Sequence, residues 1–206
     1  NFPNAITIGD DAFEDCTNLS IASFPVAESI GKDAFNGCVK LSEVYVPNAT
    51  SIGSYAFSGC AFESISLPNC TYIDDFAFAS CSNLSNIYLP QVSVIKDNAF
   101  YYCSALTEII LPSVKTIESM AFESCASLSY VEALLCETVK ERAFQECTSL
   151  ASVSLPMCTT LGVHAFDYCT NLSFIDLPNL QSVQASTFTY GNSNLKDVSI
   201  PACSII

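Results

Sequence analysis

The 206-residue chain has no tryptophan, one histidine, two methionines and only seven lysines and arginines. The single histidine, His164, confines any Ser-His-Asp or Cys-His arrangement to one place. Seven bases against 21 acids leave a formal charge of −14. That balance repels phosphate backbones, which argues against a nucleic-acid partner, and gives no attraction to anionic membranes. No apolar run approaches the ~18 residues of a membrane-spanning helix, so direct insertion is not expected. No Gly-rich phosphate loop and no C-x-x-C pair is present. Charged residues make up only 14% of the chain and hydrophobic ones half, which argues against disorder.

What the chain does have is a phrase that keeps returning. Ala-Phe opens at Ala12, Ala34, Ala56, Ala77, Ala99, Ala121, Ala143 and Ala165, with Thr187-Phe188 as a ninth copy, at intervals of 22, 22, 21, 22, 22, 22, 22 and 22 residues. A fixed period in this range marks a solenoid, one quasi-linear body in which each repeat touches only its neighbours. Counting from the alanine, column two is phenylalanine, five cysteine, eight leucine, eleven isoleucine or valine, thirteen usually leucine, fourteen proline, and nineteen usually isoleucine or valine. Columns ten to thirteen alternate, which is the strand signal, and the proline then ends hydrogen bonding. Each repeat is too short for a strand plus a full helix. The expected fold is therefore a solenoid of about nine 22-residue repeats, with short parallel strands in one curved sheet and a 3₁₀ turn or second short strand on the opposite side. Repeat three is one residue short, which places Phe62 in the leucine column. Repeat six has Leu134 in place of proline, and repeat nine has Gly191 in place of cysteine.

Leu-x-x-Ile-x-Leu-Pro followed by Ile-Gly-x-x-Ala-Phe-x-x-Cys closely resembles the BspA-like leucine-rich repeat family, from Ile8-Gly9 to Ile200-Pro201. The resemblance implies a surface or secreted protein of the adhesin or host-interaction type, with no shared catalytic residues to carry over and no cofactor. The departures are extra cysteines in column sixteen and the missing proline at Leu134. Residues 1–206 read as a single solenoid that begins and ends partway through a repeat with no polar cap, so a piece of a longer surface protein is expected.

Of the twelve cysteines, eight fall in column five (Cys16, Cys38, Cys60, Cys81, Cys103, Cys125, Cys147, Cys169) and four in column sixteen (Cys70, Cys136, Cys158, Cys203). Column sixteen elsewhere holds alanine, valine or leucine, so cysteine there reads as a small apolar residue. Column five reads as a stack of buried thiols. Stacked neighbours would hold their Cβ atoms ~4.8 Å apart, beyond the usual bridging range. His164 falls in a variable turn column and reads as solvated. The acid pairs Asp10-Asp11 and Asp74-Asp75 lack the ligand spacing of a calcium loop. Five N-x-Ser/Thr sequons begin at Asn18, Asn48, Asn69, Asn83 and Asn171.

Outward positions of the strands, columns ten and twelve, are where a solenoid sheet would meet a partner. They carry Tyr45, Tyr88, Ile110, Tyr130 and Phe174, interleaved with Glu43, Glu108, Glu132 and Asp176. Exposed aromatics among polar neighbours suit an interface, whereas aromatics on strands also serve cross-strand packing. The expectation is a non-enzymatic interaction module binding a protein or glycan through this face. The alternative is a structural spacer that projects another domain from the cell surface.

Overall fold

In the computed structural model, which describes residues 2–184 and 186–203, the chain winds through nine stacked turns with no helix among the described residues. Each regular turn contributes two strands. The three-residue strands occupy columns ten to twelve: Ile21–Ser23, Glu43–Tyr45, Ser64–Ser66, Asn86–Tyr88, Glu108–Ile110, Tyr130–Glu132, Ser152–Ser154, Phe174–Asp176 and Asp197–Ser199. Two-residue strands occupy columns eighteen and nineteen, from Thr7–Ile8 to Thr160–Leu161. All pairings are parallel and join a residue to its equivalent in the next turn, as Ile30↔Ile52 and Ile109↔Val131 do.

The solenoid and its parallel strands are as the period predicts, but the strands divide differently from the single expected sheet. The longer ladder belongs to the two-residue strands, eight in unbroken order. The three-residue strands form runs of two, two and five, with interruptions after Glu43–Tyr45 and after Asn86–Tyr88. The first interruption coincides with the shortened third repeat. There Phe62 fills the leucine position, fully buried and edge-on to Phe57 at 5.7 Å and 87°. The larger ring occupies space that the missing residue would otherwise leave open.

No 3₁₀ segment appears among the described residues; the Ala-Phe-x-x-Cys stretch is a chain of turns with a distinctive bonding pattern. In repeat two, the N–H groups of Asp33, Phe35 and Gly37 donate to Ser54, Ala56 and Ser58 in the next turn, at 2.8–3.0 Å. Those of Asn36 and Cys38 donate back to Asp33 and Phe35 of the same turn, at 3.1 Å. Sending alternate amides along and across the axis requires left-handed backbone at two points per turn. Column twenty-two supplies one at every copy, from Asp11 (φ 55°) through Phe76 (φ 57°) and Met120 (φ 56°) to Ser186 (φ 64°). Column four supplies the other, as Gly37 and Gly59 at φ 72° but also as Tyr102 (φ 62°) and Glu146 (φ 62°). For residues with a Cβ this conformation costs roughly 1–2 kcal/mol, a strain that the repeated inter-turn hydrogen bonds offset.

The core is a set of parallel columns. Phe13, Phe35, Phe57, Phe78, Phe100, Phe122, Phe144, Phe166 and Phe188 stack face to face, with centroids 5.1–5.8 Å apart and planes within 17°. Alanine precedes phenylalanine because its side chain is fully buried where adjacent turns meet, as at Ala34, Ala56 and Ala99.

Candidate binding face

The columns that attract attention in the sequence are the cysteines, and the structure gives them a structural task. Each column-five thiol from Cys38 onward donates to the phenylalanine carbonyl of the preceding turn: Cys38 to Phe13, Cys60 to Phe35, Cys81 to Phe57, Cys103 to Phe78, Cys125 to Phe100, Cys147 to Phe122 and Cys169 to Phe144, all at 3.0–3.3 Å. That carbonyl already accepts the amide three residues on, as Phe100 does from Cys103, and the thiol takes up its second lone pair. Column-sixteen thiols donate locally, Cys70 to Tyr72, Cys136 to Thr138 and Cys158 to Thr160. Burial raises these thiols from an ordinary value of 9.0, to about 11 at Cys70 and Cys158 and to about 12 at Cys81, Cys125, Cys136 and Cys169. Cys60, Cys103 and Cys147 are also held above the ordinary value by burial. They stay protonated, serve as donors and are poor nucleophiles. Cys16 departs from the expected buried stack in being exposed, and Cys203 is half-buried.

His164 also differs from the solvated turn residue that its variable column suggests. Its side chain is 27% exposed, and Nδ1 lies 2.7 Å from Oδ2 of Asp167, which is only 2% exposed. The other oxygen of Asp167 accepts the amides of Thr189 and Tyr190 at 2.9 and 3.2 Å. The pair thus ties the irregular ninth repeat to the eighth. Asp10 does similar work, accepting the Lys32 amide at 2.8 Å, and Asp74 accepts the Tyr72 hydroxyl at 3.0 Å. Among the sequon asparagines, Asn48, Asn69 and Asn83 donate their side-chain amides to carbonyls of the preceding turn.

The nine residues singled out on the outward strand positions all lie on one face. Tyr45 and Tyr88 are each 56% exposed, Ile110 and Phe174 each 48%. Glu43, Glu108 and Asp176 are exposed, and Tyr130 and Glu132 are half-buried. Beneath them the middle residue of each strand is turned inward, as Ile87, Ile109, Val131 and Ile175 are. The face is not a single pocket. Tyr88, Glu108 and Ile110 line a cleft of about 310 Å³ with Asn86, Pro90 and Pro112, at the second interruption of the ladder. Glu43 and Tyr45 line another, of about 480 Å³, with Ile21 and Ser64 at the first interruption. Tyr130 donates its hydroxyl to Glu132 at 2.7 Å, and that bond raises the phenol above its ordinary value. Phe174 and Asp176 stand two turns further along.

A second aromatic surface lies on the Ala-Phe side and was not read from the sequence. Tyr55 stacks on Phe76 at 4.6 Å and 4°, and Tyr168 on Tyr190 at 6.1 Å and 13°. Tyr102 and Tyr168 border a groove of about 350 Å³ over Ser124, Ala126 and Glu146. Aligning columns three, four and twenty-two, rather than the strand columns alone, would have revealed these rings.

Comparison with known proteins agrees with this geometry. The family model described as BspA type leucine rich repeat region, with six copies, matches residues 6–129 and 93–206. No curated protein matches the chain. Among solved structures, the leucine rich repeat protein of T. pallidum is 28% identical with a TM-score of 0.61, covering 82% of this chain and 72% of its own. A leucine rich cell surface protein of Faecalibacterium prausnitzii A2-165 is 24% identical with a TM-score of 0.57, over 98% of this chain and 64% of that one. A leucine-rich repeat protein of Bacteroides ovatus ATCC 8483 is 24% identical with a TM-score of 0.52, over 98% and 72%. The chain therefore spans about two thirds of the length of these relatives, and the family match over residues 6–206 places it in the BspA-type leucine-rich repeat family.

Proposed function

We propose that the solenoid is a non-enzymatic interaction module of the cell surface, adhesin-like, which binds a protein or glycan through the face formed by the three-residue strands. One observation carries the reading. Tyr45, Tyr88, Tyr130 and Phe174 sit two turns apart on the outward side of the strands, so none has another ring of the face in an adjoining turn. These stand apart, with three of the four nearly half exposed or more, as contact residues do before a partner covers them. The surface location draws support from the cell-surface relative in Faecalibacterium.

The test replaces Tyr45, Tyr88, Tyr130 and Phe174 together by serine and screens both proteins against host-matrix proteins and a glycan panel. The expected result is unchanged thermal unfolding with loss of the wild-type ligand. Undiminished binding by the variant assigns the site elsewhere, and a wild-type protein that binds nothing in the panel favours the spacer.

A further inference from the structure

The aromatics of the strand face fall on every second turn. Tyr45 lies in repeat two, Tyr88 in four, Tyr130 in six and Phe174 in eight, while the odd repeats carry serine, isoleucine or acid at these positions. In each even repeat the aromatic has a polar partner two residues away on the same strand, and hence on the same face. The partners are Glu43, Asn86, Glu132 and Asp176. At repeat four, where the partner is an amide, Glu108 of the next turn lines the same cleft and supplies a carboxylate.

The two members of the pair exchange places halfway along. In repeats two and four the aromatic follows the polar residue; in six and eight it precedes it. The point midway between them stays above the central residue of the strand in all four cases. Three seats therefore pair an aromatic with an acid of its own strand, the fourth borrows Glu108 from the next turn, and the four follow the solenoid axis two turns apart. Where the strand ladder is continuous, between repeats six and eight, that spacing is roughly 9.6 Å; the other two intervals each cross one of its interruptions.

This spacing and chemistry select a ligand. A polyproline II chain has three residues per turn and rises ~3.1 Å per residue, so every third side chain returns to the same side after about 9.3 Å. A carboxylate beside an aromatic face is a seat for a cation. None of the seven lysines and arginines lies in column ten or twelve, so no basic residue of this chain occupies the face. Serine pairs at repeats three and seven (Ser64 and Ser66, Ser152 and Ser154) leave room between seats for the two intervening ligand residues, whereas repeat five places Glu108 and the exposed Ile110 there.

We propose that the strand face binds an extended, proline-rich polypeptide with arginine or lysine at every third position, laid along the solenoid axis with one cation in each even repeat. The proposal rests on the reading of this face as the binding face and specifies its partner. The probe is a twelve-residue peptide of four Arg-Pro-Pro units, titrated calorimetrically at low and high salt. Controls carry four arginines at every fourth position of a sixteen-residue peptide, or glutamate at every third position of a twelve-residue one. The expected result is binding of the first peptide at least fivefold tighter than of the every-fourth control, none of the acidic one, and weakening with salt. Tyr45→Ser, Tyr88→Ser and Phe174→Ser should each lower the affinity about threefold, with thermal unfolding unchanged. Equal affinity for the two arginine spacings, or indifference to these substitutions, overturns the proposal. So does a neutral β-linked glucan that binds the same residues while the peptide does not, although that outcome leaves the face as the binding site.

Discussion

Ten buried thiols make the fold sensitive to alkali, and the size of the effect follows from their burial. In the unfolded chain a thiol ionises near its ordinary value of 9.0; in the fold, burial holds Cys81, Cys125, Cys136 and Cys169 at about 12 and Cys38, Cys70 and Cys158 at about 11. A raised folded pKa means that the native state keeps its proton more tightly. The stabilisation is complete below pH ~9 and is lost as pH climbs toward the folded values. At about pH 10 each buried thiol has lost about 1.4 kcal/mol, and ten have lost about 14. Native proteins have a total stability of roughly 5–15 kcal/mol. Unfolding is therefore expected at about pH 10, well before the native thiols would ionise in place.

The assay follows far-ultraviolet circular dichroism and thiolate absorbance together, under reducing conditions, as pH is raised from neutrality. The two signals should change in one cooperative step. Tyrosines and lysines also titrate in this range, so a variant must isolate the thiols. Cys70→Val with Cys158→Val is the suitable pair, because column sixteen already accommodates Val92 and Val114 fully buried. The double variant should lose about 2.8 kcal/mol less at about pH 10 and so unfold at higher pH. A smooth titration of ten thiols near their ordinary value with the fold intact, or an unmoved midpoint in the double variant, would refute the reasoning.

Three further outcomes follow from the same geometry. At neutral pH a thiol reagent should label Cys16 rapidly and Cys203 more slowly, leaving ten thiols unreactive until denaturant is added; rapid labelling of a third would contradict the packing. Phe122→Ala removes a fully buried ring stacked at 5.2 Å on Phe100 and 5.4 Å on Phe144, and should cost about 3–5 kcal/mol in a denaturant titration, against less than 1 if the column were loosely packed. Asp167→Ala removes the acceptor of the Thr189 and Tyr190 amides, worth about 2 kcal/mol; hydrogen exchange at those two amides should quicken while repeats two to six keep their protection, and unchanged exchange would deny the anchoring role.

The period and the inward columns were legible because they are over-determined. Nine phenylalanines at one register, with leucine, isoleucine and proline at fixed offsets, leave one architecture that buries them all. What the period could not show was how the backbone closes each turn. The left-handed residues of columns four and twenty-two include tyrosine, phenylalanine, methionine and arginine, which carry no preference for that conformation. Gly37 and Gly59, with Asp11, Asp15, Asp33 and Asn98, hint at it. Inter-turn hydrogen bonding imposes the geometry whatever the side chain, so these columns look merely variable in the sequence. The cysteines illustrate a related limit. Spacing placed them inside correctly, but packing alone does not explain why column five is cysteine rather than alanine or valine. The second lone pair of the phenylalanine carbonyl does, and it is visible only once the preceding turn lies 3.0–3.3 Å away.

Two aromatic surfaces then compete for the functional role, and their partners separate them. On the Ala-Phe side the rings are in contact with one another: Tyr55 with Phe76, Tyr101 with Tyr102 at 5.4 Å, His164 and Tyr168 with Tyr190. Those contacts support turns that carry left-handed backbone, and removing one ring would strip its neighbour of a packing partner. On the strand face the rings have no such obligation. Their side chains lie outside the core, and their columns hold an aromatic in each even repeat from two to eight and in no odd one. A structural requirement of the solenoid would recur once per turn, as every inward column does. The two-turn spacing of these rings is the feature that the proposed ligand repeat would match.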